Sequence, residues 1–235
     1  TLAECQSKIK QRDYYGNMML REGRVDSLIS GLTVKYPTAL RPILRIIGTE
    51  PGLRKAAGMY TLLTKRGPMF FADTTINLDP TVEELIQMVL NVADTVRRTN
   101  IEPKVALLSY SNFGSSNGPD ARKMAQASKI LRQDHPELIV DGEVHANFAL
   151  NPELLEESFP FSDLVGHRAN VFIFPNLAAG NITYKMLQSF GAAEAIGPML
   201  IGTQKSAHVL QLGASVREIV NMATLAAVDA RTRKA

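Results

Sequence analysis

The sequence predicts an α/β fold made of two α/β/α lobes with mostly parallel sheets. Continuous apolar runs such as Lys104–Leu108 and Val171–Phe174 alternate with amphipathic stretches, which is typical of a parallel sheet covered on both faces. The 235 residues suffice for one large domain or two medium ones. A composition of 45% hydrophobic and 21% charged residues is ordinary for a chain that buries a core.

The first part of the chain is predicted to contain two helices, a short strand and a β-hairpin. Apolar residues between Leu40 and Ile47 recur at helical spacing, which predicts a helix there. The turn Lys65–Pro68 separates two apolar runs and predicts the hairpin. In order, we expect a helix at 1–20, a strand at 25–31, a helix at 39–47, and strands at 58–63 and 69–73.

The second part is predicted to alternate helices and strands. Thr81 with Glu84, and Ser215 with Glu218, have the spacing of capping boxes, so a helix is expected to begin at each pair. Between them we expect strand 104–108, a helix from about 119, strand 138–141, helix 152–157, strand 171–174 and helix 182–190. The predicted first lobe combines 1–58 with 198–235, the second spans 59–197, and the cleft between the lobes is expected to hold a ligand.

Charge and cysteine content exclude several classes of protein. The net charge of +3 comes from dispersed Lys and Arg, whereas a nucleic-acid binder concentrates them on one face, so no nucleic-acid partner is expected. Cys5 is the single cysteine, which favours a reducing, cytoplasmic location.

No apolar run reaches about 18 residues, so no membrane span is expected. Because the chain opens at Thr1 in a helical pattern, we expect it to be a fragment of a longer protein.

Histidine and acidic residues give little sign of a metal site or of acid–base chemistry. The four histidines lack metal-ligand spacing, so no metal ligands are expected. Asp141 and Glu143 flank a glycine at a predicted strand end. Paired carboxylates can act as acid and base, but hydrogen bonding within the loop is the favoured interpretation.

Two predicted loops follow strands and precede helices, where parallel sheets bind ligands. The first, Ser109–Ser116, carries four serines and a glycine that can present hydroxyl and N–H groups to an anion. The second runs from Pro175 to Asn181, with Asn181 as a candidate N-cap and Lys185 one turn further on as a candidate phosphate contact. Neither matches a nucleotide-binding fingerprint, so ordinary strand-to-helix turns remain an alternative.

Several segments occur in a recognisable order along nearly the whole chain. They are Leu40–Leu44, Phe71–Asp73, Leu108–Ser111 with Gly114-Ser115, Val140–Glu143, and Phe174-Pro175 through Gly180-Asn181 to Tyr184-Lys185, with Gly197-Pro198 beyond them. In this order the segments resemble the phosphotransacetylase family, whose members move an acetyl group between coenzyme A and phosphate.

The chain departs from that family where the chemistry takes place. Family members carry a Ser-Arg-Gly-Cys run where this chain has Gln211–Ala214, so the family's reactive serine and arginine are absent. The family usually has a lysine before the glycine of the serine loop, whereas this chain has Phe113 there. The family usually has a cysteine after Phe-Ala-Asp, whereas this chain has Thr74. A fixed cation can hold a developing oxyanion and Leu212 cannot, so no catalytic residue is expected.

These departures resemble one subgroup, the C-terminal phosphotransacetylase-like domain of large bacterial malic enzymes. The resemblance implies a regulatory and assembly domain that binds acetyl-CoA or a related acyl-CoA without acetyl transfer, and that forms a dimer or larger homo-oligomer. It also implies a missing N-terminal malic enzyme part, with NADP and a divalent metal bound there and no cofactor in this fragment. The expected ligand contacts are Arg41, Ser109, Ser111, Asn112, Gly114, Ser115, Asn181 and Lys185, with Gln204, Lys205 and Gln211 at the rim.

Two alternatives stay open from the sequence. The chain could be a divergent, active phosphate acetyltransferase, or a pure assembly module with an empty cleft. The first alternative predicts acetyl-CoA formation from acetyl phosphate. The second predicts that truncation changes the oligomeric state while acetyl-CoA leaves malate turnover unchanged.

Overall fold

The computed structural model describes residues 1–233; Lys234 and Ala235, which end the predicted first lobe, lie outside the described residues. Within the described part, the elements in chain order are α1 (Leu2–Lys8), α2 (Arg12–Arg21), β1 (Leu28–Gly31), α3 (Tyr36–Ile46), β2 (Ala57–Thr64), β3 (Gly67–Ala72), α4 (Val82–Arg97), β4 (Lys104–Leu108), α5 (Pro119–Asp134), β5 (Ile139–Val144), α6 (Ala146–Ala149), α7 (Pro152–Ser158), β6 (Val171–Ile173), α8 (Leu177–Ser189), β7 (Glu194–Ile201), β8 (Ala207–Leu210) and α9 (Val216–Thr232). Most strand pairs are parallel, which confirms the predicted α/β class.

The chain forms two compact units. Among the described residues, the first comprises 1–56 and 196–233, and the second comprises 57–195. In the first unit β1 pairs in parallel with β8, with Leu28 opposite Ala207. Helices α2, α3 and α9 contact this pair of strands. Both strands are only four residues long, so the core of the unit depends on the helices that cover them.

The second unit is built on strands in the order β5-β4-β6-β3-β2. Strands β3, β6, β4 and β5 run parallel, and β2 runs antiparallel to β3 through the hairpin that the sequence predicts. Aromatic and aliphatic side chains of one sheet face, including Leu62, Phe71 and Phe172, pack with residues of α6, α7 and α8. Strand β7 begins in this unit and carries the chain into the first.

Both predicted capping boxes are present. Thr81 accepts the Glu84 N–H at 3.3 Å while the Glu84 carboxylate accepts the Thr81 N–H at 3.1 Å. Ser215 and Glu218 make the same pair of bonds at 3.2 Å and 2.7 Å. Each box satisfies two of the N–H groups that a helix start leaves without an intrahelical partner, which fixes the first residues of α4 and α9.

The sequence prediction for the start of α8 was wrong. Asn176 is the N-cap, because its Oδ1 accepts the Ala179 N–H at 3.0 Å, and the helix begins at Leu177 rather than Ile182. Gly180 therefore lies inside the helix instead of in a glycine loop. A Cβ at Gly180 would lie 2.7 Å from the carbonyl oxygen of Asp73, so glycine is needed there for close packing of backbone on backbone.

The first predicted helix was also wrong in extent. The segment 1–20 contains two helices that separate between Lys8 and Arg12. Helix α1 buries no residue, whereas α2 buries Asn17 and Leu20. Tertiary packing thus supports only the second helix, and helical propensity alone does not join the two. Among the described residues, no helix is both long and apolar enough to cross a membrane.

Candidate functional site

Polar residues gather at one edge of the sheet in the second unit, where the parallel strands β3, β4, β5 and β6 end. Asp73 follows β3, the serine loop 109–116 follows β4, His145 follows β5, and Asn176 precedes α8. Because the carboxyl ends of parallel strands meet at one edge, the topology brings these residues together.

Asp73 is a heavily hydrogen-bonded carboxylate at this edge, and only 3% of its surface is exposed. Its Oδ1 accepts the N–H groups of Gly58, Thr75 and Ile76 at 3.2, 2.8 and 3.1 Å. Its Oδ2 accepts the N–H and the side-chain amide of Asn77 at 2.9 and 2.6 Å. Five donors therefore converge on one carboxylate, which sets the path of the loop after β3.

Two opposing effects act on the charge of Asp73. Burial raises the pKa of its carboxyl above the ordinary value, while the N–H donors of Thr75, Asn77 and Ile76 lower it. All five partners are donors, so a proton on Asp73 would face no acceptor among them. The contacts suit a carboxylate that holds a loop and has no spare acceptor position for a substrate.

The serine loop is organised around a second buried carboxylate, Glu143. Its Oε1 accepts the Ser111 hydroxyl at 2.8 Å and the Gly114 N–H at 2.7 Å. Ser111 Oγ in turn accepts the Ser116 N–H at 3.0 Å. Since Ser111 donates to Glu143, the hydroxyl of Ser115, 3.1 Å from that of Ser111, donates to it. Glu143 thus determines the shape of the loop.

The remaining polar groups of the loop also have protein partners. Ser109 Oγ accepts the Ser111 N–H at 3.1 Å, and Ser115 Oγ accepts the Asn112 N–H at 2.9 Å. Asn112 Oδ1 accepts the His145 N–H at 2.7 Å. The five residues predicted from this loop therefore lie close together, but many of their polar groups are already hydrogen-bonded within the protein.

The loop role predicted for Asp141 and Glu143 is confirmed by their contacts. Asp141 is fully buried, and its Oδ2 accepts the Ser162 hydroxyl at 2.8 Å and the Asp163 N–H at 3.0 Å. Arg132 lies 3.4 Å from the other oxygen. The sequence places the two carboxylates at a strand end but gives no sign of these partners, because Ser162 and Arg132 lie far from them along the chain.

The helix that follows β6 carries the other two ligand candidates of this unit. Asn181 is not the N-cap: its side-chain amide donates to the Thr74 carbonyl at 3.0 Å and ties α8 to the loop after Asp73. Lys185 lies about two turns into α8 rather than one. It is exposed and has no ion pair among the described residues. Its charge is therefore available to an anion.

The other four candidates belong to the first unit. Arg41 is exposed on α3 and has no ion pair within residues 1–233. Gln204 donates its side-chain amide to the Thr49 carbonyl at 3.0 Å, and the Lys205 carbonyl accepts the Thr203 hydroxyl at 2.9 Å. Gln211 directly follows β8. Of these four, Gln204 has its amide engaged in holding a turn, and Arg41 presents an unpaired cation.

The turn between β8 and α9 contains Gln211 and Leu212. Leu212 is 57% exposed, and Gly213 has a φ of 75°, in the left-handed region that favours glycine. The Ala214 N–H donates to the Gln211 carbonyl at 3.3 Å. The turn is thus well formed, but it presents an apolar side chain and a neutral amide.

A buried Ser206–His208–Asp229 cluster in the first unit has the residue types of a hydrolase triad but not its geometry. His208 Nδ1 accepts the Leu200 N–H at 3.2 Å, so the ring carries its proton on Nε2. Ser206 Oγ and Asp229 Oδ2 both face that same nitrogen, at 3.1 and 3.6 Å. In a triad the serine and the aspartate face opposite ring nitrogens, so this cluster is structural.

Asp229 also pairs with Arg233 at 2.8 Å, and Arg233 reaches Glu50 at 2.9 Å. Burial by itself raises the pKa of Asp229, but the hydrogen bond with His208 and the charge of Arg233 lower it to about 2. The described residues hold no group of three His, Cys, Asp or Glu side chains that could bind a metal ion.

The fold and the polar residues at the edge of the sheet define a class of protein. It is an α/β protein with candidate ligand-binding groups in loops that follow parallel strands. Comparison with known proteins narrows the class. Residues 1–227 match the family model for phosphate acetyl/butaryl transferases, and the chain belongs to this family. A phosphotransacetylase from Streptococcus pyogenes has the same fold, with a TM-score of 0.92 and 35% identity over 98% of this chain and 70% of that one.

The curated relatives are of two kinds. The NADP-dependent malic enzyme of Escherichia coli is 42% identical over 219 residues, which are 93% of this chain but 29% of that protein. The phosphate acetyltransferase of Bacillus subtilis is 35% identical over 98% of this chain and 71% of that protein. The chain therefore spans less than a third of the malic enzyme it matches.

Proposed function

We propose that this chain is the phosphotransacetylase-like domain of a malic enzyme, and that it binds acetyl-CoA and assists self-association without transferring acetyl groups. The feature that carries the proposal is the turn Gln211–Ala214, with its exposed Leu212. By the resemblance described above, the transferase family has its reactive serine and arginine there. The higher identity to malic enzymes than to acetyltransferases, 42% against 35%, supports the same choice.

The chemistry of acetyl transfer explains why this turn matters. Attack on the acetyl carbonyl develops negative charge on oxygen, and a positioned donor or cation must stabilise it. Leu212 supplies neither. The loss of one such contact costs on the order of 3 kcal/mol in the transition state. Binding of the ground-state ligand needs no such contact, so a domain can lose turnover and keep its ligand.

Acetyl-CoA is a polyanion, and exposed cations without carboxylate partners support the choice of ligand. Lys185 on α8 and Arg41 on α3 have no ion pair among the described residues. Within the second unit, we assign a phosphate contact to Lys185, with the amide of Asn181 as a weaker contact. Arg41, Gln204, Lys205 and Gln211 of the first unit stay predictions from the sequence. Ser109, Ser111, Asn112, Gly114 and Ser115 set the loop that frames the site, through the bonds to Glu143 and His145.

The parent protein would convert malate to pyruvate with NADP. Its NADP and divalent metal would be held by an N-terminal part, outside the residues described. In that arrangement the present domain is a sensor attached to the catalyst, and self-association and ligand binding are two properties of one module.

The test uses the full-length protein and titrates acetyl-CoA by calorimetry. We expect binding, and we expect Lys185→Glu to weaken it about tenfold, while Lys129→Glu, an exposed helical lysine of the same unit, changes it less than about twofold. Acetyl-CoA should also change the rate of malate turnover. Absence of binding at millimolar ligand, or equal effects of the two variants, would refute the sensing role.

An active phosphate acetyltransferase is the second candidate. It is favoured by the coverage of the Bacillus subtilis enzyme and by the TM-score of 0.92 to the Streptococcus pyogenes protein. Formation of acetyl-CoA from coenzyme A and acetyl phosphate distinguishes the two. We expect no turnover from the wild-type protein. Turnover that disappears in Lys185→Glu would establish the transferase instead.

A further inference from the structure

One face of the sheet in the second unit is left open between α6 and α8. The gap is a cavity of about 430 Å³. Its floor consists of strand side chains, among them Leu62, Phe71 and Phe172, and Leu150 and Leu187 stand on its two sides. Because a mostly parallel sheet is normally covered on both faces, an uncovered stretch of this size is unusual.

The floor of the cavity belongs to the hydrophobic core. Leu62 and Phe172 are 0% and 2% exposed, although they line a space large enough for a ligand. The lining is aliphatic and aromatic, and the volume lies in the range of small-molecule pockets. An apolar ligand would remove the remaining surface from water, which is the main source of affinity for such a site.

Two cations stand at the mouth of the cavity. Lys65 and Arg66 line it from the hairpin between β2 and β3, are exposed, and have no ion pair among the described residues. Thr64 fixes this turn, because its hydroxyl donates to the Gly67 carbonyl at 2.8 Å and accepts the Arg66 N–H at 3.1 Å. A rigid turn with two unpaired positive charges beside an apolar cavity complements an anionic head group on an apolar body.

This mouth lies at the other edge of the sheet from the candidate site. Strand β2 runs antiparallel to β3, so the hairpin lies at the amino end of β3. Asp73 and the serine loop follow the carboxyl ends of β3 and β4, which run parallel through β6. The cavity extends from this mouth towards the carboxyl ends of the strands, where Leu108 and Phe174 also line it. The two cations of the hairpin are distinct from the groups assigned to acetyl-CoA.

We propose that this cavity binds a medium-chain fatty acid anion. The hydrocarbon chain lies on Leu62, Phe172 and Leu187, and the carboxylate lies between Lys65 and Arg66. The charge on the hairpin selects a carboxylate over a neutral amphiphile, and the apolar floor selects a hydrocarbon over a polar metabolite. The site would allow the protein to respond to fatty acids as well as to acetyl-CoA.

The test titrates octanoate and, as a neutral probe with the same chain, 1-octanol into the full chain, by calorimetry. Lys65→Glu/Arg66→Glu should weaken octanoate binding at least about tenfold and leave octanol within about twofold. The matched control Lys10→Glu/Arg24→Glu makes the same change in net charge at exposed residues of the first unit. It should leave both affinities within about twofold.

A cavity-filling variant, Ala193→Phe, locates the site, since Ala193 lines the cavity. It should abolish binding of both probes while the melting temperature stays near that of the wild type. The proposal is overturned if octanoate does not bind at about 10 mM, or if the charge reversal and its control weaken octanoate equally. It is also overturned if Ala193→Phe lowers the mass measured by light scattering without octanoate, because a second copy of the chain would then be the occupant.

Discussion

Two buried carboxylates of the second unit, Asp73 and Glu143, are held differently from Asp229 of the first unit. In the second unit, Asp73 and Glu143 are bonded by backbone N–H groups, a hydroxyl and an amide, all of them neutral. In the first unit, Asp229 is bonded by Arg233, and Arg233 also pairs with Glu50. Neutral donors that come mostly from one loop fix the path of that loop, whereas Arg233 also reaches Glu50, 183 residues away along the chain.

The difference has a consequence for ligand binding. A loop shaped by neutral donors to a carboxylate keeps its form when the ligand is absent, because its bonds do not involve the ligand. Its polar groups are then already occupied, so a ligand gains affinity from nearby free cations instead. In the function proposed above, the serine loop therefore frames the site and Lys185 contacts the ligand.

The largest expected effect tests the neutral donors. Asp73→Ala removes the acceptor of five donors, so buried N–H groups of Gly58, Ile76 and Asn77 lose their partner. We expect the free energy of unfolding to fall by about 3 to 4 kcal/mol, measured by urea denaturation. Asp134→Ala, an exposed aspartate of α5, should change it by less than about 0.5 kcal/mol. Equal losses would contradict the assigned role.

The second test concerns Asp229, the buried carboxylate that pairs with Arg233. Because the pKa of Asp229 is lowered to about 2 from an ordinary 3.8, its ionised form stabilises the native state above about pH 4. That stabilisation, about 2 kcal/mol, is lost as the pH falls from about 4 to about 2. Asp229→Asn should lower stability at pH 7 and remove this part of the acid dependence. Asp163→Asn, at an exposed ion pair, should leave the acid profile unchanged; a profile unaltered by Asp229→Asn would refute the prediction.

The third test compares two helical glycines, one in each unit. A Cβ at Gly180 would meet the Asp73 carbonyl at 2.7 Å, whereas a Cβ at Gly16 would meet only the end of the Leu28 side chain at 3.0 Å. We expect Gly180→Ala to lower the free energy of unfolding by about 1.5 kcal/mol. Gly16→Ala should be near neutral, because improved helix propensity offsets a small shift of Leu28. The melting temperatures of the two variants, measured under the same conditions, test this difference. Equal melting temperatures would argue against rigid packing at Gly180.

The smallest effects should be the same in both units. Thr81→Ala and Ser215→Ala each remove the acceptor of one capping box, and each should lower the free energy of unfolding by about 1 kcal/mol. The double variant should show the sum of the two losses in urea denaturation. A sum that falls well short would mean that the caps do not act independently.

Local chemistry explains which parts of the fold could be predicted from the sequence. Strand β4 and the two capping boxes follow from patterns only a few residues long, and the structure confirms them. The start of α8 was misplaced because two asparagines, Asn176 and Asn181, could each cap a helix. The decision depends on Gly180 packing against Asp73, a contact across the chain that no local pattern contains.

The candidate site was predictable in its location more than in its bonding. The strand-end rule places Ser109–Ser116 correctly at the edge of the sheet. It does not show that Glu143 binds Ser111 and Gly114, because that pairing depends on how β5 and β4 align. A glutamate two residues after the predicted strand 138–141 was the available signal, and the structure places it inside β5. Its hydrogen-bond partners could be identified only from the three-dimensional structure.

The discontinuity of the first unit has a consequence for synthesis on the ribosome. Strand β1 pairs with β8, and Ser27 bonds Ser206 across a separation of 179 residues. The second unit, by contrast, is a continuous stretch from 57 to 195. Non-local pairing forms late, so the second unit can fold before β8 is available to pair with β1. A ribosome paused before residue 207 would therefore carry a chain in which the second unit is folded and β1 is not paired with β8.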